Sequence, residues 1–561
     1  MSRRDGGIAF ALVAVLVVLT GMIAAPSFQP AATPAPTPTA APILGHAQGV
    51  LGRPSSITPL TARTQVDRDL VALLFRGLVR LGPGTSVLPD LAERWTVSED
   101  GARWTFHLRA DARWHDGVPV TSRDVVYTVG VLHDPAYTGP LASTWVEVQA
   151  TALDELTVQF DLGDPVGGFL HAAALPLLPA HILSEVPVEA LADDPYAREP
   201  LGNGAFALVE MTADRAVMEP VLPQVSGATA PLGDLTAGEV GARIPRLPRL
   251  EIRFFDTAED LIAAFTAGEV ASAANLPPAA AVALAATPGA RAIRYPTTTV
   301  TALAFNLRAI RGPFSDARTR RALVAALDRA DLVADLLGGA GARAETVIPP
   351  SSWAYDAAAA PEIAYDRAAA TAGLREAGWR RVDGAWIPPR ASNPLAVTIL
   401  APEAAVNEIA HAGATRVAAA WTALGLAATV EALPPGELVE RLQAADFTVA
   451  VIDVSMGLDP DPFPILASSQ VRAGGANVSG LQDAALDKAL VAARAPGSLA
   501  NRIKAYGALQ KLLATMQPMP VLFVRDAVLV ADEDLSGPVA RPIADPAGRF
   551  WDVVRWQTVG R

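Results

Sequence analysis

Three short stretches collect the residue types that could do chemistry. Trp114-His115-Asp116-Gly117 sets a histidine beside a carboxylate, a pairing that can move a proton or hold a transition metal. Leu458-Asp459-Pro460-Asp461-Pro462-Phe463 carries two acids that could ligate a hard cation. Gly202, Gly204 and Ala207 fit a GxGxxA pattern of the kind that cradles a pyrophosphate. None of the three has the company its chemistry requires. His115 and Asp116 flank a turn with no second ligand at useful spacing, and the seven histidines are scattered at 46, 107, 115, 133, 171, 181 and 411. The Asp459 run is stiffened by two prolines and lacks a third nearby acid, so it reads as a structured loop first and ligand-proximal second. A strand is expected after Gly204, so no helix N-terminus awaits a phosphate. HExxH, GxSxG and P-loop signatures are absent from the chain. The expectation is a protein that binds and is not an enzyme, with no catalytic residue, no metal and no cofactor.

The elements around these residues are legible. Trp95 and Val97 alternate with polar neighbours, Glu99-Asp100-Gly101 supplies a turn, and Trp104, Phe106 and Leu108 face one way. That pattern predicts an antiparallel hairpin with one buried face. Asp116-Gly117 offers a second tight turn. Thr121 with Asp124 three residues on is a capping-box start for a helix through Val125, Val126 and Val129. Further along, Ser315 is the expected N-cap of a helix whose stripe runs through Leu323, Leu327, Leu332, Val333, Leu336 and Leu337 to Gly338-Gly339. Arg320 and Arg321 on it are expected to be solvated or paired with acids. Asp366 opens a helix that Gly378 stops. A strand is expected over 447–452.

A chain of 561 residues with 51% apolar and 18% charged residues is ordered and needs two or three structural units. Its net charge of -13 leaves no basic excess to displace phosphate counterions, which excludes nucleic acid as a partner. The absence of cysteine excludes disulfides, thiolate metal sites and a lipid-modified N-terminal cysteine. Arg3 and Arg4 precede a weakly polar to apolar run over 8–25, longer than a usual signal-peptide core and near the lower limit for spanning a bilayer. We expect this run to tether the chain to the cell membrane with the remainder outside the cytoplasm; a cleaved signal peptide is the competing reading. Residues 26–42, made mostly of Pro, Ala and Thr, read as an extended linker.

The hairpin, turn and capped helix of residues 94–129 resemble a segment of the family 5 extracellular solute-binding proteins, the dipeptide-, oligopeptide- and nickel-binding receptors of ABC importers. The resemblance recurs in order at 74–81 with 88–92, at 200–210, at 303–308, at 313–329, at 366–379 and at 519–523. It implies an α/β, type II periplasmic-binding-protein-like architecture, two lobes joined by crossing hinge strands with an extra subdomain in the first lobe. On that pattern 43–298 and 519–561 form lobe I and 299–518 lobe II, with crossings near 301–306 and 519–524. The implied function is capture of a peptide or peptide-like solute in an interlobe cleft and delivery to ABC permease subunits, by a protein expected to be monomeric. A surface sensor or adaptor on the same scaffold is the alternative.

The implied ligand contacts are Thr58 and Thr64 from the first loop, Asn275, Thr301, and Asp453, Val454, Ser455, Met456 and Asp459 from the second lobe. Here the chain departs from its relatives. The aspartate that captures a peptide ammonium, three residues before the Asp-Pro, corresponds to Met456, and the tryptophan before it to Asp453. A pocket aromatic corresponds to Pro435, and Ala273-Ala274 stand where some relatives place a tyrosine. Either the usual anchors of a zwitterionic peptide are missing, or Asp453 takes the ammonium role from an adjacent turn.

Overall fold

The computed structural model describes residues 45–558 apart from 85, 138, 140, 142–144, 222–244 and 309–311. The expected anchor and linker lie outside these residues. Among the described residues, no helix is long and apolar enough to cross a membrane.

The first half of the chain begins with β1 (His46–Leu51) and α1 (Gln65–Leu74). It then builds a small antiparallel sheet from β2 (Ala92–Val97), β3 (Arg103–Leu108), β4 (Val148–Asp154) and β5 (Thr157–Leu162), with α2 (Ser122–His133) between β3 and β4. The order is β2-β3-β5-β4. The expected hairpin forms with Trp95 opposite Phe106, Gly101 turns at φ +74°, and the Thr121–Asp124 capping box opens α2. Phe106 and Phe160 meet edge-to-face at 5.6 Å in its buried face, as aromatic quadrupoles prefer.

The chain then joins β1 in the main sheet through β6 (Phe206–Met211), β7 (Arg215–Pro220), β8 (Leu250–Phe255) and β9 (Ser272–Ala274). A 16-residue strand, β10 (Ala290–Phe305), carries it onward to α3 (Ala317–Ala325), α4 (Arg329–Leu337) and α5 (Arg367–Glu376). Then come β11 (Ala396–Pro402), α6 (Glu408–Leu424), β12 (Ala427–Leu433), β13 (Val449–Ser455), α7 (Leu499–Met516) and the return strand β14 (Val521–Asp532). These strands order as β12-β11-β13-β10-β14-β9-β1-β8-β7-β6. β10 and β14 therefore lie at the centre, where β10 pairs with β13 and β14 pairs with β9. Residues 43–561 cluster as one compact unit.

Three local expectations need correction. Asp316, not Ser315, caps α3, because its side chain reaches Arg318 N. The single stripe from Leu323 to Leu337 is broken into two helices, since Asp328 accepts from Asp331 N and starts a new one. Arg320 is neither solvated nor paired with an acid. It is 2% exposed and donates to the carbonyls of Phe314, Ser315, Met516 and Gln517, stitching α3 to the end of α7; Arg321 donates to Ala514 O. A guanidinium has five donors, so it can satisfy several frayed helix-end carbonyls at once.

Candidate functional site

Parallel strands release their chains at one edge, and crevices form beyond their C-terminal ends. Two such places occur here. β1 is parallel to β8 and β9, and β11 is parallel to β12 and β13. Each of the implied ligand contacts sits at or after the end of one of these strands, or beside it on β10.

In the first crevice the loop after β1 is organised by Asp67, wholly buried, whose carboxylate accepts from the backbone N–H groups of Ser55, Ser56, Arg63 and Thr64. Thr64 is the N-cap of α1, its hydroxyl accepting from Asp67 N at 3.0 Å. Thr58 is 0% exposed inside the same loop. Asn275, at φ +63° after β9, donates to Asp69 Oδ2 at 2.8 Å. Asp69 in turn receives Arg549 in a two-pronged pair at 2.7 and 2.6 Å, and both side chains are almost fully buried. Apart from the Thr58 hydroxyl, which is buried without a hydrogen-bond partner among the described residues, each of these polar groups already has a structural task.

The second crevice is built by strand alternation. On the face of the sheet that α6 covers, β10 presents Phe305, Leu303 and then Thr301; β13 presents Val449, Val451 and then Asp453; β14 presents Phe523 and then Arg525. At the N-terminal end of α6 the apolar core gives way to one polar rung. Thr301 donates to Asp453 Oδ1 at 2.6 Å, and Asn407, the N-cap of α6, donates to Oδ2 at 2.8 Å. Arg525 also donates to Oδ2. The strand extends to Ser455, beyond the expected 452, so Asp453 is a strand residue and not part of a following turn. Val454 and Met456 fall on the opposite face, where Met456 is 5% exposed in the core against Val300 and Leu466. The exposed Ser455 hydroxyl lies 3.4 Å from Ala544 O.

Residues 543–549 run between the two crevices. Thr298 N donates to Ile543 O at 3.1 Å, and Asp545 meets Arg68 at 2.8 Å and Gln65 at 3.0 Å on α1.

Asp459 lies apart from the rung. Arg502 grips it at 2.6 and 2.5 Å, and Gly168 approaches so closely that a Cβ there would come within 3.1 Å of the carboxylate carbon. A cavity of about 220 Å³ opens between this loop and the small sheet, with Trp145, Phe169, Asp459, Asp461 and Arg502 in its walls. Burial raises the Asp461 carboxyl, partly offset by Arg494. The other two sequence candidates prove structural. Asp116 pairs with His181 at 3.0 Å and His115 with Gly204 O at 3.2 Å. Gly202 and Gly204 pack against the Leu74 carbonyl, where a Cβ at Gly202 would lie 1.9 Å away. Among the described residues no group of three metal-ligating side chains forms.

Residues 86–475 match the bacterial extracellular solute-binding proteins, family 5 (middle region). The chain belongs to that family. The oligopeptide-binding protein AppA of Bacillus subtilis is 24% identical over 526 residues, covering 91% of this chain and 90% of its own. The dipeptide-binding protein of Escherichia coli K12 is 26% identical over 534 residues, covering 89% and 92%. Among solved structures, AppA of B. subtilis with a nonapeptide superposes at TM-score 0.72 with 22% identity, covering 92% of this chain and 99% of that one. NikZ of Campylobacter jejuni with Ni(L-His) gives TM-score 0.72 at 24% identity, covering 92% and 100%. The family 5 fold is thus the α/β, type II periplasmic-binding-protein-like one expected, and the family is one of solute binders.

Sequence reasoning missed Arg525, Asn407, Asp69, Arg549 and Arg502. A signal existed for the first: Arg525-Asp526 interrupts an otherwise apolar strand, and a charge in such a run has a task.

Proposed function

We propose that this protein captures a peptide or peptide-like solute outside the cytoplasm, in a cleft between lobes 43–298 with 519–561 and 299–518, and passes it to the permease of an ABC importer. The observation that carries this reading is the pair of strand-end crevices, one in each half of the main sheet, bridged by residues 543–549. A ligand touching both halves would bind the closed arrangement better and so shift the population toward it. β10 and β14, the central strands, are the natural hinge. The proposed contacts are Asp453 and Ser455 in the second crevice, with Thr301 behind them, and the edge of the first crevice at Thr64 and Asn275. Thr58 and Met456, both buried, are walls behind these contacts. Asp459 is proposed to shape the loop through Arg502. Residues 8–25 are proposed to hold a monomer at the membrane surface.

Isothermal titration of the full chain in mild detergent against defined di- to pentapeptides tests the reading. One-to-one binding with the peptide recovered intact is expected. Release of a cleavage product would mean an enzyme, and no binding across the panel would remove peptides as the solute class.

A further inference from the structure

The second crevice holds one acid and one guanidinium, and they are not equally free. Asp453 accepts from three donors: Thr301 on one oxygen, and Asn407 and Arg525 on the other. Its charge is balanced and the good lone-pair directions are largely filled, so an incoming ammonium would have to displace Arg525. Among the described residues Arg525 has Asp453 as its one side-chain partner, and its side chain is 25% exposed. A guanidinium has five N–H donors in a planar fork, so most of them remain available. The N-terminus of α6 opens at the same place, its Asn407 cap contacting Asp453. A helix N-terminus adds positive potential there.

We propose that Arg525 is the ligand anchor of this crevice and that it selects solutes by a carboxylate, while Asp453 positions Arg525 and does not capture an ammonium group. This rests on the peptide-binding reading and specifies its chemistry. Arg525 reaches across β10 to β13, and the residue it passes over is Thr301, small enough to leave the path open. Thr301 and Asn407 fix the Asp453 carboxylate, and Asp453 in turn orients the fork, as pre-organised recognition requires. A solute with a blocked amine and a free carboxylate then satisfies the site; one with a free amine and a blocked carboxylate leaves Arg525 without its partner.

The test titrates the full chain with trialanine, N-acetyl-trialanine and trialanine amide at pH 7. Acetylation should change the affinity by less than about threefold, and amidation should weaken it by about tenfold or more, the value of a charge-assisted pair. Arg525→Met should abolish the amide penalty. Asp453→Asn should retain it and remain insensitive to acetylation. If Arg525→Met does not fold, judged by circular dichroism, the double variant Arg525→Met/Asp453→Asn removes both charges and carries the same expectation. Loss of affinity on acetylation, abolished by Asp453→Asn, would overturn the proposal in favour of an ammonium anchor. Equal binding of all three peptides would overturn it and leave the peptide reading standing. Binding of none would remove both.

Discussion

Two aspartate–arginine pairs, one beside each crevice, differ in how far they are open to solvent. Asp69–Arg549 is sealed, with side-chain exposures of 0% and 2%; Asp453–Arg525 is open to solvent, at 18% and 25%. In the sealed pair both oxygens of the acid and both prongs of the base are used, and Gln65 and Asn275 fill what remains. In the open pair the acid is saturated and the base is not. A buried, fully satisfied ion pair can staple the C-terminal segment to α1 but cannot meet a ligand. A partly exposed pair adds less to stability and keeps donors for recognition. The same two residue types thus serve architecture in one half and, as proposed, selection in the other.

The comparison fails first if the sealed pair proves dispensable. Asp69→Ala leaves the Arg549 guanidinium buried without its counter-charge, a situation that costs about 3–5 kcal/mol. Urea unfolding of the variant should show a loss of this size, and Arg549→Met in the same background should recover part of it, since the orphaned charge is then gone. A loss below about 1 kcal/mol would mean that water reaches the pair.

Sealing should also appear in the pH dependence of the first half. His46 on β1 is 0% exposed, bonded to Ser272 and edge-on to Trp556, and burial pulls its imidazole down from 6.5 to about 4. The unfolded chain therefore takes up the proton first as pH falls. The stability this histidine contributes is complete above pH 6.5 and is lost progressively down to about pH 4, amounting to about 3 kcal/mol. Unfolding of His46→Gln should lack that arm of the profile. Parallel profiles for wild type and variant between pH 7 and 4 would show that His46 is protonated in the folded chain.

The sequence carried the fold well and the site unevenly, for a physical reason. Caps, turns and alternation are local, and they placed the β2–β3 hairpin, α2 and the helix after Asp366 within a residue or two. Even the broken stripe of α3 and α4 had a local cause in Asp328. The ion pairs are not local: Asp69 and Arg549 are 480 positions apart, and Asp453 and Arg525 are 72 apart. No spacing rule joins such partners. Family resemblance pointed to the end of β13 and to the departure at Met456, but only the structure shows that Asp453 and Met456 face opposite ways.

A smaller effect separates a cap from a contact. Thr64 stands at the edge of the first crevice, and its hydroxyl closes the capping box of α1. Thr64→Ala should cost about 1 kcal/mol of stability by urea unfolding, with peptide affinity within about twofold of wild type, less than one tenfold step of 1.4 kcal/mol. A larger loss of affinity than of stability would bring the first crevice into the ligand's reach.

The smallest expected effect bears hardest on the comparison. A double-mutant cycle of Asp453→Asn and Arg525→Met isolates the coupling between the two side chains, whatever each single change does elsewhere. Because both groups are partly hydrated, and because Thr301 and Asn407 continue to satisfy the amide that replaces the carboxylate, the coupling in unfolding free energy should be about 0.5–1 kcal/mol. The same cycle at Asp69 and Arg549 should give several times that. Raising the salt concentration adds a second discriminator, since exposed pairs are screened and sealed ones are not. The open pair's coupling should shrink toward zero at about 1 M salt, where the Debye length is about 3 Å, while the sealed pair's should persist. If the open pair instead couples strongly and resists salt, Arg525 is held as tightly as Arg549, and the contrast between an open and a sealed pair fails.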